Sequence, residues 1–443
     1  MSHTLLIEIV TEEIPAGYIG PALAAMSKLT REKLSHARIG HGVARTYGTP
    51  RRLALVIDEV AARQTSITEE ILGPPKSVAF DLEGRPTKAA LGFAKNQGIS
   101  VRRLATKSTA KGDYVYIKRT DQGYTSRKVL SRILPEVIRS IPFPKSMRWA
   151  NLNLTFARPI HAVVALLGDR IIPFTFERVK SGRHSLGHRF MHPKKVKLDS
   201  ASEYLATLKS AYVIADIEER KAIIEREISE AADNLGGQIL KDDALLEIVT
   251  HLVEYVSASA GRFDSSFLDV PREVLITAMR EHQKYFAVVD SEDRLLPCFV
   301  AVNNTPVEDL QVVTTGHERV LRARLEDARF FFEADVKTPL PEMIEKLKGV
   351  TFQAKLGSMF DKMCRVEGLA AQVAELTSPA IKPELSSAAR FCKADLTSQM
   401  VGEFPKLQGT MGRIYAERAG QPESVCRAIE EHYMPLRSGS PLP

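Results

Sequence analysis

Cysteine is scarce: Cys298, Cys364, Cys392 and Cys426 are the only four in 443 residues, and none forms a CxxC pair. Neither a disulfide framework nor a cysteine-built zinc site is expected, and reduced, buried thiols are the default. Long apolar runs are missing too. No stretch approaches the ~18–20 residues of a membrane span, and Leu5 to Val10 is short and broken by Glu8, unlike a signal-peptide core. A cytoplasmic protein without membrane contact is expected. There is no GxxxxGK[ST] phosphate loop, no GxGxxG after a strand and no HExxH, which tells against ordinary kinases, dehydrogenases and zinc hydrolases. Internal repeats and low-complexity tracts are absent.

Hydrophobic residues make up 44% of the chain and charged residues 26%, the balance of a folded globular protein. The length predicts two to four domains. Net charge is +7, and it is unevenly spread: residues 101–197 carry 21 Lys or Arg against 5 Asp or Glu, so the rest of the chain is net acidic. A basic block of this kind suits a polyanion, because Lys and Arg that neutralise phosphates release condensed counterions. The alternative is a solvated basic face with no ligand.

The pattern predicts an α+β, multidomain fold, with N-terminal mixed α/β domains followed by an all-helical C-terminal domain. Thr4 to Val10 and Arg52 to Asp58 read as strands, Ile19 to Leu34 and Val129 to Ile138 as helices. Pro142 and Pro144 mark a boundary, so domains are expected at 1–144, 145–316 and 317–443. From 145 to 316 strands (Ile160 to Leu167, Tyr285 to Val289, Cys298 to Val302) mix with helices. Beyond it, Leu321, Leu325, Ala328 and Phe332 fall at i, i+4, i+7 and i+11, a helical stripe.

Two stretches concentrate polar chemistry. His184, His188 and His192 are interleaved with Arg183, Arg189, Lys194, Lys195 and Lys197; the only nearby acids are Glu177 and Asp199, so phosphate and base contact, with Phe190 as core or stacking residue, competes with a structural loop ahead of a metal. Arg280-Glu281-His282-Gln283-Lys284-Tyr285-Phe286 ends a helix that runs into a strand. Glu281 and His282 are neighbours on a helix and point about 100° apart, so a general-base pair is not implied; polar cover at a junction is the favoured reading.

The ordered segments together identify a resemblance. Leu5-Leu6-Ile7-Glu8-Ile9 with Thr11-Glu12-Glu13-Ile14-Pro15, Gly48-Thr49-Pro50-Arg51-Arg52-Leu53-Ala54, Gly84-Arg85-Pro86-Thr87, Gly187-His188-Arg189-Phe190, Arg280 to Phe286, Arg319 to Leu325 and Met400-Val401-Gly402-Glu403-Phe404-Pro405 occur in the order of the beta subunit of bacterial heterotetrameric glycyl-tRNA synthetase. The chain resembles that family from near residue 4 to Glu430-Glu431-His432-Tyr433. The family's usual glycine before Thr-Glu-Glu is Val10 here, and its anticodon-binding domain would lie past Pro443, so a truncated or split subunit is expected. The resemblance also implies an N-terminal part like the body and tail of a CCA-adding enzyme, a middle domain like the B3/B4 module of phenylalanyl-tRNA synthetase, and a helical domain like the HD phosphohydrolases. Phe391-Cys392-Lys393-Ala394-Asp395 lacks the His-Asp pair of that last fold, so no metal centre is expected there.

The resemblance implies that two alpha subunits carry the aminoacylation site and two beta subunits bind tRNA(Gly). No cofactor is expected on this chain; ATP and Mg²⁺ would be substrates of the whole enzyme. The residues expected to hold RNA are Arg51, Arg52, Arg102, Arg103, Lys145, Arg148, Arg158, Arg183, His188, Arg189 and Lys284, with no catalytic or metal-binding residue assigned. Two alternatives stay open: a hydrolase that clears mischarged tRNA, with His282 or His188 in its pocket, and a non-catalytic assembly scaffold.

Overall fold

The computed structural model describes residues 2–151, 154–306, 308–440 and 442–443, and the chain divides into two compact units, 1–217 and 218–443.

The first unit is built on β1 (Ser2–Thr11), a strand buried from Leu5 to Thr11. Its side chains alternate between two covered faces. Leu5, Ile7 and Ile9 pack against Ile19, Leu23 and Met26 of α1 (Ala16–His36), while Leu6 faces the opposite way with Tyr47, Val56, Tyr204 and Leu208. β2 (Ala44–Thr49) and β3 (Arg52–Ala61) extend the sheet on one side of β1. A small module then intervenes: β4 (Ile67–Pro75), α2 (Lys76–Ala79), α3 (Lys88–Asn96), β5 (Ala105–Thr109) and β6 (Gly112–Asp121), with strands ordered β4-β6-β5. Its core is small: Ala79, Ala90 and Val115 with flanking Phe80, Phe93, Val101 and Leu104. α3 is started by Thr87, whose hydroxyl accepts from Ala89 N–H.

α4 (Ser126–Ser140) returns to the main core through Leu130, Leu134 and Val137, spaced i, i+4, i+7. β7 (Ile160–Leu167) pairs antiparallel with β1, Glu8 opposite Val164. β8 (Arg170–Ile171), β9 (Thr175–Phe176) and β10 (Val179–Gly182) complete the order β2-β3-β1-β7-β10-β9, with β8 on β7. The hairpin β11 (His184–Leu186) and β12 (Lys195–Lys197) and the helix α5 (Tyr204–Ser210) follow. The expected boundary at 144 falls inside this unit, because the sheet draws strands from both sides of it.

The second unit opens with α6 (Ile217–Asp233), whose first residue closes the first unit, and holds an antiparallel sheet ordered β13 (Gln238–Ile239), β15 (Phe286–Val289), β16 (Leu295–Asn303), β14 (Ser257–Arg262). α7 (Asp243–Thr250) and α8 (Arg272–Ala278) connect these strands. α8 runs into a π-helical turn, Met279–Gln283, and Lys284 then takes a left-handed φ of 58°, which turns the chain into β15. The long helix α9 (Leu310–Val336) buries Leu321, Leu325, Ala328 and Phe332 in one core with Val274, Leu275 and Phe299 on one side and Met400, Tyr415 and Ile429 on the other. Sheet and helices therefore share a core across residue 316, where a boundary was expected.

The remainder is helical, as expected: α10 (Leu340–Lys346), α11 (Met359–Thr377), α12 (Lys382–Phe391), α13 (Gln399–Glu403), α14 (Thr410–Arg418) and α15 (Glu423–Glu431), interrupted by a short hairpin of β17 (Thr351–Gln353) and β18 (Gly357–Ser358). Buried Asp335 ties α9 to α13: it accepts from Gln399 and Met400 N–H and from the Tyr415 hydroxyl, each at 2.9 Å.

Candidate nucleic-acid interface

Three of the motif segments and the loop 157–161 meet at one end of the first sheet. Thr11 N–H donates to Arg51 O (2.8 Å), Ile14 N–H to Pro50 O (2.6 Å) and Glu12 N–H to Pro159 O (3.0 Å), so residues 11–15, 49–52 and 157–161 form one loop cluster. The β11–β12 turn joins it through side chains. Arg189 Nη1 lies 3.6 Å from Glu12 Oε2 and 3.7 Å from Glu13 Oε1, while His161 Nε2 sits 2.9 Å from Glu12 Oε1. The His161 hydrogen bond, helped by the charges of Arg189 and Arg51, holds the Glu12 carboxyl below its ordinary range against the opposing effect of its slight burial. Arg189 and Phe190 are exposed, Phe190 by 71%, and project cationic and aromatic surface of the kind that meets phosphate and base.

Beneath this surface lies a buried polar layer. Arg52 Nη1 is 3.3 Å from Glu8 Oε1 and donates to Leu186 O (3.0 Å) and Ser185 Oγ (3.3 Å); its Nε donates to Thr49 Oγ1 (3.2 Å). The Tyr204 hydroxyl donates to the same Glu8 oxygen at 2.8 Å. Arg52, Glu8 and Ser185 are wholly buried. This layer bolts β1, β3, the β11 turn and the start of α5 together, and a buried pair needs such extra hydrogen bonds to offset desolvation.

The turn carrying Arg189 is fixed by His188. Its Nδ1 accepts from Phe190 N–H (3.3 Å) and Met191 N–H (3.2 Å), its N–H donates to Ala211 O, and its carbonyl accepts from His192 N–H. Gly187 is required beside it, since a Cβ there would lie 2.5 Å from His192 O.

The residues expected to hold RNA fall in different places. Arg52 and His188 are fully buried and Arg51 is 9% exposed, so Arg52 and His188 present no surface to a ligand and Arg51 little. Half-buried Arg183, between β10 and β11, donates to Asp169 O (2.9 Å) in the β7–β8 turn and to Asp199 O (3.4 Å) after β12. Half-buried Lys284 belongs to the second unit and donates to Glu281 O. Half-buried Arg158 donates to Ala157 O within the loop cluster. Exposed Arg102 and Arg103 lie on the turn after α3, in the small module, and exposed Lys145 and Arg148 on the irregular stretch between α4 and β7. Only Arg51, Arg158 and Arg189, with Arg52 and His188 beneath, come together at the sheet end.

Sequence reasoning missed Glu12 and His161 as the partners that organise Arg189, and Tyr204 as a partner of Glu8. Glu8 carried a signal: a carboxylate inside an apolar strand must be paired if it is buried. His282, weighed as a general base, stacks on Phe404 at 5.0 Å, and Glu281 is occupied by Arg280 and Lys406. Among the described residues no three His, Cys, Asp or Glu side chains are grouped to hold a metal ion, and no helix is long and apolar enough to cross a membrane.

Fold and site together describe an α+β protein with a sheet-end cluster of basic loops held by a buried ion pair. Comparison with known sequences places that architecture. The family described as glycyl-tRNA synthetase beta subunit matches residues 5–443. The chain is 50% identical over 440 residues to the glycine–tRNA ligase beta subunit of Desulfatibacillum aliphaticivorans, covering 99% of this chain and 64% of that one. It is 49% identical over 443 residues to those of Syntrophus aciditrophicus and Geotalea daltonii, covering 100% of this chain and 64% of each. The chain belongs to the glycyl-tRNA synthetase beta subunit family, and it spans a little under two thirds of the length of these relatives.

Proposed function

We propose that this chain is the tRNA-holding subunit of a glycine–tRNA ligase, acting in a heterotetramer of two alpha and two beta subunits in the cytoplasm. The alpha partner would join glycine to tRNA(Gly) at the expense of ATP, with Mg²⁺. The observation that carries this reading is the family match over residues 5–443 at about half identity to glycine–tRNA ligase beta subunits. Two features support it. The charge excess between 101 and 197 suits a phosphate backbone, and the exposed Arg102, Arg103, Lys145, Arg148 and Arg189 are placed on loops, where such contacts position a nucleic acid without reading sequence. The sequence also lacks nucleotide-activating signatures, which fits a subunit that leaves bond chemistry to its partner.

Filter binding of tRNA(Gly) against salt tests the reading. Four or so phosphate contacts predict a slope of log affinity on log salt of about −3 or steeper. An affinity indifferent to salt, or an alpha subunit that charges tRNA no better when this chain is added, would overturn it.

A further inference from the structure

The second unit contains a cavity of about 570 Å³ that the RNA-backbone reading does not use. That is the size of a small-molecule site. Val253, Val302 and Val320 supply apolar wall, and Gln283, Lys284, Tyr285, Asn304 and His317 supply polar groups.

The hydrogen-bond directions at Tyr285, His317 and Asn304 are forced. Asn303 Nδ2 donates to Ser257 O and to Ser259 Oγ, both at 3.0 Å, so its Oδ1 is the atom 2.9 Å from His317 Nε2 and can only accept. The ring proton of His317 is therefore on Nε2. Burial lowers the pKa of His317 and keeps it neutral at pH 7, which leaves Nδ1 as an acceptor. The Tyr285 hydroxyl, 2.7 Å away, donates to it. With its proton committed inward, the phenol oxygen can meet a ligand only as an acceptor. Asn304 is its complement: Oδ1 accepts from Glu254 N–H (2.7 Å) and Tyr255 N–H (3.1 Å), so the amide NH₂ is the end it can offer as a donor. Lys284, whose Nζ donates to Glu281 O, adds positive charge to the lining.

An acceptor and a donor among apolar walls, beside a cation, match the Watson–Crick edge of a base with an amino group next to an unprotonated ring nitrogen. We propose that this cavity binds an unpaired adenine or cytosine base, its amino group donating to Tyr285 Oη and its ring nitrogen accepting from Asn304 Nδ2, with the attached phosphate toward Lys284. Guanine and uracil present a carbonyl and a ring N–H at those places, setting lone pair against lone pair and N–H against N–H. That the base comes from bound RNA rests on the proposed function; the preference of the cavity does not.

Calorimetric titration of the chain with AMP, CMP, GMP and UMP tests the assignment. AMP and CMP should bind at least about tenfold more tightly than GMP and UMP, the scale of one mismatched buried polar pair. Tyr285→Phe keeps the ring stacked on Phe299, 4.6 Å away, and should reduce the discrimination to what Asn304 alone supplies. Asn304→Asp keeps the acceptor for Glu254 and Tyr255 and should weaken AMP about tenfold or more. Equal affinities for the four nucleotides, no saturation by any of them at about 10 mM, or unchanged discrimination in Tyr285→Phe would overturn the proposal. A hairpin RNA with an unpaired 3′ adenosine should bind more tightly than its blunt counterpart, and equal binding would overturn RNA as the source. Loss of salt-dependent tRNA binding with the mononucleotide preference intact would strike the proposed function alone.

Discussion

Arg52→Met removes the cation from the buried layer under the loop cluster while keeping an unbranched side chain of similar reach. The substitution deletes the bonds from Arg52 to Ser185 Oγ, Leu186 O and Thr49 Oγ1, and it leaves Glu8, wholly buried, with the Tyr204 hydroxyl but no positive partner among the described residues. Breaking a buried pair from one side costs about 3–5 kcal/mol, because the remaining charge keeps its desolvation penalty. Set against a whole-domain stability of about 5–15 kcal/mol, that is a large share. Urea unfolding followed by Trp149 fluorescence reads it directly, since Trp149 is the only tryptophan and packs on the first unit's core. In Glu8→Leu/Arg52→Met both charges are gone, so the double variant should lose clearly less than the sum of its single variants. A loss below about 1 kcal/mol for Arg52→Met, the range of an exposed pair, would refute the assignment of Arg52 to the interior, as would strict additivity.

Two further outcomes follow from the geometry. Gly187→Ala places a Cβ 2.5 Å from His192 O, so the β11–β12 turn must open; proteolysis at the turn should accelerate and tRNA affinity fall, and an unchanged cleavage rate would contradict the close approach. Burial, with Arg220 adding repulsion, holds the pKa of His251 below its ordinary 6.5 in the folded chain. The unfolded chain therefore takes up the proton first, and the stability contributed by neutral His251 is intact above pH 6.5 and lost as pH falls below it. Hydrogen exchange of α7 should speed up between pH 7.5 and 5.5, after correction for intrinsic rates, more in the parent chain than in His251→Asn; equal acceleration would remove His251 as the cause.

Much of the architecture was legible because it is local. The short run of apolar and β-branched residues from Leu5 to Val10 and the stripe at Leu321, Leu325, Ala328 and Phe332 correspond to β1 and α9, since run length and side-chain periodicity are local properties of the chain. Periodicity carries no record of depth. Leu369, Val373 and Leu376 mark α11 as helical, yet all three are exposed, and the left-handed turn at Lys284 left no trace in residue type. The same blindness put Arg52 and His188 on an RNA surface, since a basic side chain beside other basic side chains reads alike whether it points outward or pairs within.

Residue order alone was enough to assign the family, to predict an α+β chain ending in helices and to locate its excess of positive charge, because composition and short-range spacing are properties of neighbours in the chain. Tertiary structure decided which arginines remain available to a ligand. It did so through contacts between distant segments: β1 beside β7, Glu8 against Arg52 and Tyr204, and Tyr285 against His317. Burial and hydrogen-bond direction arise only when those segments meet.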